Sequence, residues 1–209
     1  EFEERIVHPD GTVRELHSQG SWILDREQNP VKLIGICQDI TERKFAERLL
    51  SAEKHVLECI ARRLPLAEVL EEICRRIEAL NPPVMASVML LDPDAKHIRP
   101  AAAPTLPERW KSAITPLEIG PIAGACGTAA FRREPVVAED ISQDPLWNAY
   151  PRVLKIALEC GLRACWSTPI FSANNELLGT CARYYKERRN PGPRDANLIR
   201  QVTHLARVA

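Results

Sequence analysis

No apolar run in this sequence is long enough to cross a bilayer. The longest, such as Val84–Leu91, fall far short of the roughly 20 residues that a spanning helix needs. Nor is there an excess of one charge. Lys+Arg and Asp+Glu both stand at 28, so no net field draws the chain to nucleic acid or to an anionic membrane surface. The first residues, Glu1-Phe2-Glu3-Glu4-Arg5, lack the apolar core of a signal peptide. Cysteine is present without a metal pattern. Cys37, Cys59, Cys74, Cys126, Cys160, Cys165 and Cys181 show no CxxC spacing, which excludes the common zinc frameworks. An odd, scattered set within apolar patterns reads as the reduced thiols of a cytoplasmic protein. His8, His17, His55, His97 and His204 are dispersed, and no metal site is expected.

What is present is the composition of a globular chain. Hydrophobic residues make up 45% of the 209, enough for one substantial core and one or two domains. The first forty residues read as β-structure. Phe2–Val7 alternates weakly, and His8-Pro9-Asp10-Gly11 is a turn whose Asp-Gly pair favours positive φ. Val13–Leu24 alternates, Gln28-Asn29-Pro30 turns, and Val31–Gln38 forms a third strand. The expectation is an antiparallel meander with one apolar face. At Thr41 the period becomes helical. Thr41 stands in an N-cap position, with Lys44 rather than Glu three residues on, so the capping box is incomplete. Phe45, Leu49, Ala52, Val56 and Cys59 step by four, three, four and three, as the seam of a coiled coil does. About two heptads cannot sustain a coiled coil alone. The seam therefore serves either a parallel homodimer, through Phe45, Leu49, Ala52 and Val56, or packing on the chain's own domain.

Pro65 restarts the helix after a break, and Leu66, Val69, Leu70, Ile73, Ile77 and Leu80 form an apolar stripe ended by Asn81-Pro82-Pro83. Strands are expected at Ala86–Leu91 and His97–Ala102. The prolines at 104, 107 and 116 forbid long elements between Ala103 and Ile119. A short helix follows over Gly124–Arg133, then a strand at Val136–Ala138 and a turn over Asp140–Pro145. Leu146–Cys160 is helical, broken near Pro151 and closed by Gly161. Ala164–Phe171 and Leu177–Tyr185 make a hairpin through Asn174-Asn175, and Asp195–Ala209 is a last helix with Leu198, Ile199, Val202, Leu205 and Ala206 inward. The class is α+β.

Two resemblances rest on local strings. Gly35-Ile36-Cys37-Gln38-Asp39-Ile40-Thr41-Glu42-Arg43-Lys44 resembles the closing strand of a PAS domain and its exit into a signalling helix. Gly124-Ala125-Cys126-Gly127-Thr128-Ala129-Ala130, Val136-Val137-Ala138-Glu139-Asp140-Ile141, Gly161-Leu162-Arg163-Ala164-Cys165-Trp166-Ser167-Thr168-Pro169-Ile170 and Leu178-Gly179-Thr180 are similar to those of GAF domains. The resemblance implies the C-terminal part of a PAS domain at 1–41, a linker helix at 42–64 and a GAF domain at 65–209. It implies an antiparallel sheet with helices on one face and a ligand cavity on the other. A PAS fold needs about a hundred residues, so the chain is expected to be a piece of a longer bacterial signalling protein. Its output domain, a histidine kinase or cyclic-di-GMP enzyme, is expected elsewhere, because no kinase histidine box, GGDEF, EAL or P-loop string occurs.

Within the GAF resemblance, several chemistries are weighed. Bilin attachment needs a Cys-His dipeptide, and none exists in the sequence. The cyclic-nucleotide motif of mammalian phosphodiesterases is not recognisable, although Arg132, Arg133 and Arg163 are available to a phosphate. Gly-Ala-Cys126-Gly resembles a string of GAF-type free methionine sulfoxide reductases. The resemblance implies that the nucleophilic cysteine of those enzymes falls near Leu158 here, with Cys160 and Cys165 only nearby. Glu139 and Asp140 point to opposite faces of a strand and cannot share a proton. The expected cavity is walled by Cys126, Thr128, Asp140, Trp147, Tyr150, Cys165 and Ser167, and no catalytic residue is assigned. The cofactor is unknown. Sequence alone leaves open which of the alternating pairs, Cys165 with Ser167 or Trp166 with Thr168, faces the cavity. The function expected is sensory: a small ligand binds, or a conformational change is relayed through dimeric helices. A thiol-dependent reductase and a ligand-free dimerising spacer remain the alternatives.

Overall fold

The computed structural model describes every residue except Asp10 and Gly11 and, in the last helix, the side chains of Pro193, Arg194, Ala196 and Asn197. The expected Asp-Gly turn therefore lies outside the described residues. The chain forms two compact units, Glu1–Ser51 and Ala52–Ala209.

In the first unit, β1 (Phe2–Val7), β2 (Val13–Leu24) and β3 (Pro30–Asp39) pair antiparallel in that order. Glycines face one another in the register Gly20↔Gly35. The helix α1 (Thr41–Ala61) leaves β3 directly. Its start differs from the expected Thr41 cap. The Asp39 carboxylate accepts the Thr41 N–H at 2.9 Å, while the Thr41 hydroxyl accepts the N–H of Glu15 at 2.9 Å. Asp39 thus performs the capping, and Thr41 ties the helix start to β2. The expected apolar face is uncovered: Trp22, Val31 and Leu33, which share one side of the sheet, are all exposed. Three strands without a second layer bury little of either face.

The seam along α1 is corrected as well. Ala52 and Val56 are buried within the protomer, at 8% and 0% exposed, so neither is free to meet a second chain. Phe45 and Leu49 are half-buried. The exposed apolar residues one heptad apart are Leu50 and Leu57, at 66% and 41%.

The second unit is built on a six-stranded antiparallel sheet in the order β6-β5-β4-β9-β8-β7. Its strands are β4 (Met85–Leu91), β5 (His97–Ala102), β6 (Leu117–Glu118), β7 (Val136–Ala138), β8 (Ala164–Phe171) and β9 (Leu177–Tyr185). The helix α2 (Leu66–Leu80) begins after Pro65 and buries Val69, Leu70, Ile73, Cys74 and Ile77, the stripe read from the sequence. It packs on β4 and β5, and α7 (Pro193–Val208) packs on β8 and β9 beside it. On this face the Arg183 guanidinium donates to the Asp195 carboxylate at 2.8 Å with both groups buried. The same guanidinium lies 4.9 Å from the centre of the Trp166 ring. Asp195 also accepts the Gly192 N–H at 2.7 Å, capping α7.

The opposite face carries α4 (Gly124–Arg132), which packs on β7, β8 and β9. Around it stand α3 (Glu108–Ala113), α5 (Pro145–Asn148) and α6 (Pro151–Glu159). The helix α3 falls in the stretch read as irregular. The prolines bound it rather than prevent it: Pro107 caps it and accepts the N–H of Trp110 and Lys111. Among the described residues, no helix is long and apolar enough to cross a membrane.

Candidate functional site

Successive residues of a strand point to opposite faces, and β8 and β9 sort their side chains accordingly. Trp166, Arg183 and Tyr185 cluster with one another, on the face packed by α7. Cys165, Ser167, Thr180 and Tyr184 surround Cys126 of α4 on the other. The alternation left open by the sequence is thereby settled in favour of Cys165 and Ser167.

Close approach places α4. A Cβ on Gly127 would lie 2.4 Å from the Glu118 carbonyl oxygen and 2.6 Å from the Ala123 Cβ, so only glycine allows the helix to sit against β6. Gly124 opens the helix at φ +58°, a region that suits glycine. The Thr128 hydroxyl accepts the Ala123 N–H at 3.0 Å and folds the preceding loop back.

Between α4 and the short helices lies an apolar cavity. It has about 50 Å³ in which the centre of a water molecule fits, within about 450 Å³ of atom-free space that includes its mouth. Trp110, Trp147, Tyr150, Tyr184, Cys126 and Gly124 line it, and aliphatic side chains complete the wall. The Trp110 and Trp147 rings stack at 5.7 Å and 19°. Tyr184 meets Trp110 edge-on at 6.1 Å. Both geometries are favourable for aromatic pairs. Among the described residues, no Lys, Arg, His, Asp or Glu lines this cavity.

A buried polar cluster adjoins the cavity. The Cys126 sulfur is 3.7 Å from the Tyr184 hydroxyl. Hydrogen bonding from Cys165, then from Ser167, Tyr184 and Thr180, draws the Cys126 thiol down to about 7 against the effect of burial. Burial, and next the neighbouring Cys126, push Cys165 well above the usual thiol range. The two thiols titrate as a pair in which Cys126 releases its proton first. Ser167 Oγ, Thr180 Oγ1 and Ser87 Oγ are buried with no full hydrogen bond to the described residues. Hydroxyl rotors of this kind are able to turn toward the sulfur when it ionises. Burial keeps Tyr184 protonated well above the normal phenol range.

Of the seven expected wall residues, Cys126, Trp147 and Tyr150 line the cavity. Cys165 and Ser167 lie in the polar cluster beneath α4 instead. Thr128 is absent from the wall because its hydroxyl is committed to Ala123. Asp140 is elsewhere: its carboxylate accepts from the Ser142 hydroxyl at 2.6 Å and N–H at 3.0 Å, and pairs with Arg188 at 3.3 Å. Those Ser142 contacts, with Arg188, hold its pKa below the usual carboxylate range. Two aromatic wall residues, Trp110 and Tyr184, are not marked by the sequence. Trp110 sits in the proline-bounded stretch, where no periodicity marks a helix. Tyr184 pairs with Cys165 across the hairpin, so the register of β8 and β9 puts both on one face.

Asp92, Asp94 and His97 bring three potential metal ligands within 4.8 Å of one another. Asp92 is engaged by Arg99 at 2.6 Å and Asp94 by the Lys96 N–H at 2.8 Å and His97 at 2.5 Å. These contacts account for the cluster without an ion.

The sequence profile of the GAF domain family matches residues 63–209. A methyl sulfide methyltransferase-associated sensor from Methanosarcina acetivorans is 34% identical over 208 residues, 99% of this chain. The chain spans only 20% of that relative's length. Among solved structures, a GAF sensor protein from Burkholderia vietnamiensis superposes with a TM-score of 0.62 at 15% identity, covering 78% of this chain and 93% of its own. The substrate complex of free methionine-R-sulfoxide reductase from Neisseria meningitidis reaches 0.62 at 18% identity, covering 78% and 86%. At such identities the two structures share the fold alone. The matched profile, the antiparallel sheet and the α4-covered cavity together show that this chain belongs to the GAF domain family.

Proposed function

We propose that the chain is a sensory segment of a larger cytoplasmic signalling protein, with the cavity under α4 as its ligand site. One observation carries the reading. Tyr184 lines the cavity, while its neighbour Arg183, pointing through the sheet, holds Asp195 of α7 at 2.8 Å. A ligand that shifts β9 therefore acts on the start of α7 through one residue step. Signalling requires only that the ligand prefer one arrangement over the other. The relative's name, a sensor, accords with this. Native mass spectrometry under reducing conditions tests the site. A small molecule is expected to be retained by the wild type and lost from Val153→Trp, which fills the cavity. Retention by both proteins contradicts the reading.

The same proposal takes Phe2–Asp39 as the closing part of a PAS domain and sends the output to a kinase or cyclic-di-GMP enzyme. It also includes a homodimer along α1, with the contact moved to Leu50 and Leu57 because Ala52 and Val56 are buried. Leu50→Asp with Leu57→Asp then yields a monomer by light scattering, and a persistent dimer removes that contact. A second reading, thiol-dependent reduction of a free sulfoxide, draws on the lowered Cys126 thiol beside Cys165. Against it, the place of the reductase nucleophile falls near Leu158, with Cys160 and Cys165 only nearby. Turnover with dithiothreitol that disappears in Cys126→Ser is what this second reading requires.

A further inference from the structure

We infer that the cavity takes an uncharged, apolar molecule of about one ring, held by burial and dispersion with no hydrogen bond or ion pair to the wall. This rests on the reading of the cavity as the ligand site and names what that site selects.

The wall presents carbon. Ile114, Leu117, Leu146 and Val153 supply aliphatic surface beside the rings of Trp110 and Trp147. The indole nitrogens of those rings have essentially no accessible surface, so the rings border the space with carbon. Two polar atoms of lining residues are engaged behind the wall. The Cys126 sulfur and the Tyr184 hydroxyl lie 3.7 Å apart, and the same sulfur faces Cys165, Ser167 and Thr180. The charge that Cys126 takes on when it ionises is met within that cluster.

Water is a poor occupant of such a space. About 50 Å³ is room for more than one water molecule, yet a buried water needs about two to four polar partners. Apolar cavities without such partners stay dry and take up apolar guests. A guest gains by leaving water and makes the contacts that the lining of a void lacks. The space, about 50 Å³ within and about 450 Å³ with its mouth, brackets the roughly 150 Å³ at which an apolar cavity admits benzene. That sets the size at about one ring.

Charge is selected against in both signs. Among the described residues, no ionised side chain lines the wall to pair with a carboxylate, a phosphate or an ammonium group. An ion taken from water into that surround would stand uncompensated. A free amino acid, with both charges, is disfavoured on the same ground. A neutral hydroxyl fares better than an ion but still leaves its hydrogen bonds to water unreplaced.

The test is a ¹⁹F NMR titration of the whole chain with four probes of similar size: 4-fluorotoluene, 4-fluorobenzyl alcohol, 4-fluorobenzoate and 4-fluorobenzylammonium. The toluene is expected to bind the wild type at least about 5-fold tighter than the alcohol and at least about 10-fold tighter than either ion. Val153→Trp, which fills the cavity, is expected to weaken toluene binding at least about 10-fold. Leu146→Trp provides the same comparison should Val153→Trp misfold. An alcohol that binds as tightly as the toluene, or tighter, overturns the inference and leaves the ligand site standing. Tightest binding of the benzoate or the ammonium overturns it also. Toluene affinity unchanged in both variants places the binding elsewhere and overturns it. If none of the four binds, the inference is overturned, and a ligand retained in native mass spectrometry by the wild type but not by Val153→Trp still upholds the ligand site itself.

Discussion

The two faces of the central sheet are built from neighbouring residues of the same strands and do different things. On the α2–α7 face, a regular apolar stripe is closed against β4 and β5, and the buried Arg183 meets a carboxylate. On the α4 face, aromatic rings leave a space, and two indole N–H groups are buried without a hydrogen-bond partner among the described residues. Buried polar groups left in that state are destabilising. Under the proposed reading, a strand that carries both arrangements on alternate residues sets the ligand site and the structural core one residue step apart.

Breaking the ion pair is the most severe test of that separation. Asp195→Ala leaves the Arg183 charge buried and uncaps α7, and is expected to lower stability by about 3–5 kcal/mol in urea unfolding. Pairing Arg183→Met with Asp195→Leu removes both charges and is expected to recover most of the loss. A loss below about 1 kcal/mol for Asp195→Ala contradicts a structural role for the pair.

Gly127→Ala comes next, because its methyl would meet the Glu118 carbonyl oxygen at 2.4 Å. Moving α4 to relieve that contact costs about 1–3 kcal/mol and reshapes the cavity, so the thermal midpoint and probe affinity fall together. Loss of stability with unaltered affinity contradicts the placement of α4 by this contact.

The polar cluster predicts smaller effects. Ser167→Ala and Thr180→Val each remove a buried hydroxyl that makes no full hydrogen bond to the described residues, and change stability by less than about 1 kcal/mol. Each also withdraws a donor from the Cys126 sulfur, so the thiol absorbance assigned by difference from Cys126→Ser titrates above the native value of about 7. A titration unmoved in both variants contradicts the cluster as the cause.

The pH dependence has a definite sign. Between about 7 and the ordinary thiol value of 9, native Cys126 has released a proton that the unfolded chain still binds, so stability rises with pH. Above 9, the unfolded chain releases protons that native Cys74, Cys165 and Cys181 retain, and stability falls. The rise from 7 to 9 is expected to be absent in Cys126→Ser, as read from thermal midpoints. Its persistence there assigns the rise to other groups.

Much of the fold was legible because the relevant signals are local. The α2 stripe, the hairpin of β8 and β9 and the strand β7 follow from periodicity and turn residues alone. The α4 strings marked the right helix, and Cys126, Trp147 and Tyr150 are at the cavity. What was not legible depends on distant pairing. Asp140 looked available until Ser142 and Arg188 were seen to engage it, and Thr128 until its hydroxyl was seen on Ala123. Trp110 belongs to a helix too short for a periodic signal, and its place in the wall depends on Trp147, far along the chain. The α1 seam had the right spacing for two different burials, and spacing cannot distinguish a partner chain from the protomer's own core.

The four tryptophans offer the most direct test, since they sample different environments. Trp110 and Trp147 line the cavity, Trp166 lies with Arg183 and Tyr185 on the other face, and Trp22 is exposed in the first unit. The measurement is a ¹⁵N-correlated spectrum of the indole N–H groups during titration with 4-fluorotoluene. The account predicts shifts of the Trp110 and Trp147 signals, with Trp22 unmoved and Trp166 changed less. Shifts confined to Trp22 or Trp166, or no shift at all, would contradict the α4 face as the site of recognition.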